Sequence, residues 1–200
     1  MTHRHREVHP IEAESYRILR SRVDTSALPR WTRTVVERVV HTSADVGYVD
    51  DLVCRESDLE RAAMLLRDEV PVVVDAEMVA AGVTGYDTRC FVRDRRTREL
   101  AEETGRTRSA AAVHVALGEV PPGAVWVVGN APTFLFELLD LAGRAQPSLV
   151  VGLPVGFVGA AESKHALRES GLPAVTNRTE KGGSAVAAAT LNALLYGSPI

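Results

Sequence analysis

The sequence predicts a doubly wound α/β domain, with a mainly parallel five-stranded sheet and a helical segment ahead of it. Three observations carry this. From about residue 70 onward, short β-branched runs alternate with segments of helical period. Those runs lack polar alternation, which is expected of strands buried on both faces, as in a parallel sheet covered by helices. Before residue 70 the pattern is helical throughout.

The elements follow in order. Residues 1–9 read as a flexible tail carrying His3, His5 and His9. Ile11 to Val23 has apolar residues at helical spacing. Pro29 opens a second helix with an apolar stripe of Trp31, Val35, Val36, Val39 and Val40. A third runs from Ser57, a candidate N-cap, to Asp68. VPVVVD (70–75) is a buried strand followed by a short helix, and CFVRD (90–94) is a weaker strand. The charged stretch from Arg93 to Arg108 reads as solvated helix mixed with loops, and SAAAVHVAL as a helix carrying His114. AVWVVGN (124–130) precedes a helix from Pro132 to Leu141. SLVVGLP (148–154) precedes one from about Ala160 to Glu169, and AVTN (174–177) one from Ser184 to Leu195. Such βαβ units bind ligands beyond the carboxyl ends of their strands.

Composition sets the class. With 200 residues, 46% hydrophobic and 24% charged, the chain reads as one domain over 1–200 that folds without disulfides or structural metal. A net charge of −3 argues against a non-specific nucleic-acid binder. Of the 23 lysines and arginines only Lys164 and Lys181 are lysines, and arginine is the better bidentate partner for carboxylates. Cys54 and Cys90 form no CxxC pair and read as free thiols. No apolar signal region follows the N-terminus, and no apolar run is long enough to span a bilayer. A soluble cytoplasmic protein without membrane contact is expected.

The predicted strand ends are rich in small residues: Gly129-Asn130 after the third, Gly152, Gly156 and Gly159 around the fourth, and Lys181-Gly182-Gly183-Ser184 before the last helix. Either they only make tight turns, or they admit an anionic ligand to the helix N-termini. They match neither GxxxxGK[ST] nor GxGxxG. Asp75 and Glu77 read as helix N-terminal carboxylates, and no metal site is expected. His114 and His165 have packing or surface roles. His41 differs: it lies well off the Trp31–Val40 stripe, on the same side as Arg38, at a helix C-terminus whose dipole favours imidazolium.

Five strings then carry a resemblance. DAEMVAAGVT (75–84), GRTRSAAA (105–112), VGNAPTFLFELL (128–139), GLPVGFVGAAESK (152–164) and GGSAVAAATLNALL (182–195) resemble the precorrin-8X methylmutases of cobalamin biosynthesis. The resemblance extends from about Ile11 to Leu195. It implies a flavodoxin-like three-layer α/β/α domain, a homodimer with sites at the subunit interface, and no cofactor. The implied reaction is an isomerisation that moves a methyl group from C-11 to C-12 of the tetrapyrrole precorrin-8X, giving hydrogenobyrinate.

The family's catalytic histidine maps to His41 in RVVHTSADV. Its substrate-contacting serine maps to Ser15 in EAESYRILR, and further substrate-binding positions map to Arg38, Thr84 and Arg108. The sequence departs at Ser43-Ala44, where the family often has glycine, and at Arg106, which replaces a common asparagine. In the implied mechanism His41, as imidazolium, donates to a ring nitrogen, while Arg38, Arg108 and helix N-termini hold the carboxylate arms, with Arg106 and Arg178 as further candidates. A cobalt-precorrin-8 methylmutase and a non-catalytic tetrapyrrole carrier are the alternatives. A phosphosugar or nucleotide enzyme has only the glycine loops in its favour.

Overall fold

The structure, a computed structural model, describes residues 9–197. Residues 1–8 of the expected tail, with His3 and His5, lie outside the described residues. His9 is ordered: its Nδ1 accepts a hydrogen bond from the Ile11 amide at 3.2 Å and caps the first helix.

Three helices open the chain: α1 (Pro10–Arg22), α2 (Arg30–Ser43) and the short α3 (Tyr48–Asp51). Strand β1 (Leu52–Cys54) and helix α4 (Glu56–Arg67) follow. Then come β2 (Val72–Val74), α5 (Glu77–Gly82), β3 (Thr88–Cys90), α6 (Arg95–Thr104), α7 (Arg108–Glu119) and β4 (Val125–Val128). The chain closes with α8 (Pro132–Asp140), α9 (Ala142–Ala145), β5 (Leu149–Gly152), α10 (Ala160–Glu169), β6 (Ala174–Asn177) and α11 (Ser184–Tyr196).

The sheet has six strands among the described residues, in the order β1-β6-β5-β4-β2-β3. Neighbours from β6 across to β3 pair in parallel, and β1 adds an antiparallel edge against β6. The expected five-stranded sheet is therefore corrected to a mixed sheet of six. β1 escaped the sequence reading because it is three half-buried residues at an edge, too short for a period to register. The expected strand at 90–94 is shifted to 88–90, because Asp94 leaves the strand to cap α6 through the Arg96 amide. Ser57 is not an N-cap: α4 already begins at Glu56. The charged stretch resolves into α6, ended by Gly105 at φ 68°, and the start of α7, capped by Thr107.

Helices cover both faces of the sheet, and the strand residues sort by parity. Val72, Val74, Val125, Val127, Leu149, Val151 and Val175 belong to the core shared with α2, α4, α5 and α11. Val73, Trp126, Val128 and Val150 belong to the core shared with α7, α8 and α10. Uninterrupted β-branched runs suit this geometry because neither face meets water.

Two carboxylates fix α2 on this frame. Glu56, across the turn after β1, accepts the Trp31 and Thr32 amides at 2.8 Å each, supplying the N-cap that Pro29 cannot. Glu37 is 1% exposed and accepts from Arg20 of α1 at 2.7 Å and from Arg33 at 3.0 Å. It also accepts the Thr25 hydroxyl from the α1–α2 connection. Burial works against its charge, but these donors hold its pKa below the ordinary value. The start of α2 thus lies at the foot of the sheet, and its end at the rim formed by the carboxyl ends of the parallel strands.

The loop between β6 and α11 is threaded tightly against that rim. A Cβ on Gly182 would sit 2.3 Å from the Leu153 carbonyl oxygen and 2.6 Å from that of Pro154. Backbone cannot yield as a side-chain tip can, so Gly182→Ala should cost about 2 kcal/mol. In thermal unfolding this reads as a Tm lower by about 4–8 °C; an unchanged Tm would show that the loop yields freely.

Candidate active site at the strand-end rim

His41 lies two residues before the end of α2, where the helix reaches the rim. Trp31, Val35, Val36, Val39 and Val40 are buried on one side of α2, and His41 is half-buried on the side that meets α1. Its Nδ1 lies 2.8 Å from Ser15 Oγ. The next residue on α1, Tyr16, stacks on the imidazole with ring centroids 4.9 Å apart and planes 9° from parallel. Tyr16 is fully buried, and that burial pushes its hydroxyl pKa up to about 12. One turn back along both helices, Arg38 Nη1 donates to Glu12 Oε1 at 3.0 Å. Arg38 is 8% exposed, and its Nε has no hydrogen-bond partner among the described residues.

Two buried polar centres shape the loops beside His41. Asp75, at the end of β2, accepts the amides of Gly129, Asn130 and Ala131 at 2.7–3.0 Å, so it braces the β4–α8 loop. The sequence reading had it at the N-terminus of its own helix; α5 in fact starts at Glu77 behind Ala76, without a side-chain cap. Burial pushes the Asp75 carboxyl up, against those three amides.

The second centre is built on Lys164, which is 0% exposed. Its Nζ donates to Asn177 Oδ1 at 2.9 Å and to the Lys181 carbonyl at 2.6 Å. Asn177 Nδ2 donates in turn to Asp51 Oδ2 at 2.8 Å. Asp51 also accepts the Arg178 and Thr179 amides and the Thr179 hydroxyl. Burial would raise the Asp51 carboxyl, but these donors hold it below its ordinary value. Lys181 then reaches Asp45 at 2.6 Å, just past Ala44, whose left-handed φ of 55° ends α2. Contacts thus run from the end of the His41 helix through the β6–α11 loop to the β5–α10 loop. The latter exposes Phe157 (96%) and Val158 (89%).

The remaining expected residues fall in different places. Arg108, exposed, is the first residue of α7, beside Thr107, whose hydroxyl bonds Thr133 at the start of α8 at 2.9 Å. It is on the rim. Thr84 is not: its amide donates to Asn192 Oδ1 at 3.1 Å and its hydroxyl lies 3.2 Å from Tyr196 Oη, at the last turn of α11. The rim loops meet α11 at its other end, where the Gly183 amide donates to the Leu153 carbonyl. Thirteen residues of helix separate the two ends by about 20 Å. Arg106 Nε lies 3.3 Å from Glu137, which also holds His114, and Arg178 Nη1 donates to the Asp50 carbonyl.

The structure therefore brings Ser15 and His41 together, with Arg38 one turn away and Arg108 on the same rim, and sets Thr84 apart. Sequence reasoning missed Glu12 and Tyr16, although the spacing of Glu12, Ser15 and Tyr16 places them on one face of α1. It placed Asn177 at a strand end but missed Asp51 and the contacts between them, for which no spacing rule exists. Among the described residues no three His, Cys, Asp or Glu side chains gather as a metal site, and no helix is long and apolar enough to cross a membrane.

Comparison with known proteins follows the same outline. A family model described as CbiC, precorrin-8X methylmutase, matches residues 10–197. The chain is 41% identical over 198 residues to the cobalt-precorrin-8 methylmutase of Salmonella typhimurium, covering 93% of each. It is also 41% identical over 199 residues to the precorrin-8X methylmutase of a Sinorhizobium species, covering 94% of each. The fold matches the crystal structure of a precorrin-8X methylmutase from Thermus thermophilus with a TM-score of 0.85 at 33% identity. That match covers 92% of this chain and 93% of that one.

Burial pushes the Lys164 pKa from 10.5 down to about 8, partly opposed by Asp51 and Glu180. Between those values the unfolded chain binds more protons than the folded one, so the contribution of Lys164 to stability rises with pH. In urea unfolding from pH 7 to 10, the wild type should gain stability relative to Lys164→Met as pH climbs. Parallel curves would show that Lys164 does not titrate in this window.

Proposed function

The chain belongs to the precorrin-8X methylmutase family, isomerases of cobalamin biosynthesis that move a methyl group within a tetrapyrrole, and from that premise we propose that His41 is the acid of the reaction. The observation that carries this is the hydrogen bond between Ser15 Oγ and His41 Nδ1 at the strand-end rim. With Nδ1 committed to Ser15, the reacting proton is assigned to Nε2, because the bond at one ring nitrogen sets the role of the other. Donation to a ring nitrogen near the migrating methyl draws electron density from the conjugated system. That lowers the barrier to a [1,5]-shift from C-11 to C-12, and general acid assistance is worth about 10²–10⁴ in rate. The methyl group is already on the substrate, so no methyl donor or other cofactor is invoked.

The carboxylate arms of the macrocycle are assigned to Arg108, to Arg38, and to main-chain amides at the starts of α8, α10 and α11. Those three helices begin without a side-chain cap. Glu12 neutralises Arg38, so the guanidinium does not disfavour a charged His41. Thr84 enters the set through a second copy of the chain. Its position at the far end of α11 and the exposed Phe157 and Val158 support a homodimer with sites between subunits. Sedimentation of a monomer at micromolar concentration would count against that assembly. The parallel part of the sheet, β3-β2-β4-β5-β6, has the 2-1-3-4-5 order that supports a flavodoxin-like assignment. The protein is placed in the cytoplasm, where Cys54 and Cys90 stay free thiols.

The substrate is assigned as metal-free precorrin-8X. The cobalt-precorrin-8 reading is favoured by the Salmonella relative, which is as similar as the Sinorhizobium one. Turnover of the two rings side by side separates them, and substoichiometric conversion separates either from a carrier.

His41→Ala should bind the macrocycle, seen as a spectral shift proportional to protein, yet lose at least about 10²-fold in kcat. Ser15→Ala should fall between His41→Ala and wild type. Near-normal turnover by His41→Ala would remove His41 from the chemistry.

A further inference from the structure

We propose that Tyr16 is a positioning residue for this reaction, its stacked ring holding the His41 imidazole in plane and favouring its protonated form. The proposal rests on the reading of His41 as the acid. Ser15 and Tyr16 are adjacent on α1 and constrain the imidazole in two perpendicular ways. The Ser15 bond acts along the ring edge at 2.8 Å, and the Tyr16 ring covers a face at a centroid distance of 4.9 Å. Neither contact alone fixes the ring: a hydrogen bond permits rotation about its own axis, and a stack permits sliding.

The stack also has an electrostatic sense. The face of a tyrosine ring is negative, and a cation against it is stabilised. Among the described residues the formal charges around His41 are mostly engaged in ion pairs. On α1 and α2, Glu12 pairs with Arg38, and Glu37 with Arg20 and Arg33. Beyond the turn, Asp45 pairs with Lys181. On α3, Asp51 is saturated by its own donors, Asp50 is exposed and Tyr48 is buried. On α4, Glu56 caps the far end of α2 and Asp58 pairs with Arg55. The remaining helix on α2, α11, carries no ionisable side chain before Tyr196 at its last turn. The Tyr16 face, in direct contact with the imidazole, thus favours imidazolium alongside the C-terminal dipole of α2, and the same ring also carries the Arg20 guanidinium 5.8 Å from its centroid.

The Tyr16 hydroxyl supports a role for the ring rather than for the oxygen, since it is buried without a hydrogen-bond partner among the described residues. The oxygen can therefore be removed without breaking any described bond.

The test is an NMR titration of His41 in the full chain, paired with the pH profile of kcat, for wild type, Tyr16→Phe and Tyr16→Leu. Tyr16→Phe should keep the His41 pKa and kcat within twofold of wild type. Tyr16→Leu should lower the His41 pKa by about half a unit. The alkaline limb of kcat should move down with it, kcat should fall about tenfold, and KM should change less than threefold. If Tyr16→Leu does not fold, Tyr16→pentafluorophenylalanine keeps the shape, reverses the potential of the ring face and should lower the His41 pKa further. An unmoved His41 titration in a folded leucine or fluorinated variant overturns the proposal, as does a Tyr16→Phe variant as impaired as Tyr16→Leu. The titration is independent of turnover. An active His41→Ala enzyme would sink the acid reading, while an unshifted titration would sink the role of Tyr16.

Discussion

The buried carboxylate of Glu37 decides how α1 lies against α2, and the site follows from that docking. It ties Arg20 of α1, Arg33 of its own helix and Thr25 of the connection to one point that is 1% exposed. A buried carboxylate left without partners costs several kcal/mol, so any other placement of α1 must find it new donors. Because α1 is held there, Ser15 and Tyr16 arrive together at His41 and Glu12 arrives at Arg38. The ion pair does no chemistry itself; it selects which face of α1 the acid meets.

The loops on the rim follow the same logic with different parts. Glycine-rich chain beyond the strands has little side-chain packing to order it, so its order comes from buried polar groups that reach across. Asp75 gathers the amides of the β4–α8 loop. Lys164, Asn177 and Asp51 gather the β6–α11 loop onto α3. In each centre the buried charged group meets at least two hydrogen-bond partners, which is what makes burial of a lysine or an aspartate tolerable. The rim can then present backbone amides to a ligand while keeping its shape.

Much of this was legible in the sequence. β2, β4 and β5 were readable because their β-branched runs are buried on both faces, and α2 because its stripe is wide and regular. β1 and β3 were missed or shifted because three-residue strands at an edge carry no period. His41 could be singled out by its position off the stripe; Ser15 came only through the family resemblance. Tyr16 and Glu12 stayed hidden because the pattern of α1 does not say which of its faces α2 will cover. Asp75 was read as a local cap when its partners lie more than fifty residues along the chain. Buried polar contacts between distant segments leave no mark on local spacing, and those contacts hold the loops of this site.

The Glu56 clamp on α2 has a geometric consequence. It grips the first turn of the helix from across the fold, while Ala44 and Asp45 fix the turn after the last. With both ends anchored, α2 works as a ruler. The height of His41 above the foot of the sheet is a count of residues, and its bearing toward α1 is that count multiplied by about 100°. One residue more would lift the imidazole by about 1.5 Å and swing it out from under Tyr16. The length of α2 is therefore a stricter requirement on this protein than the identity of most side chains along it.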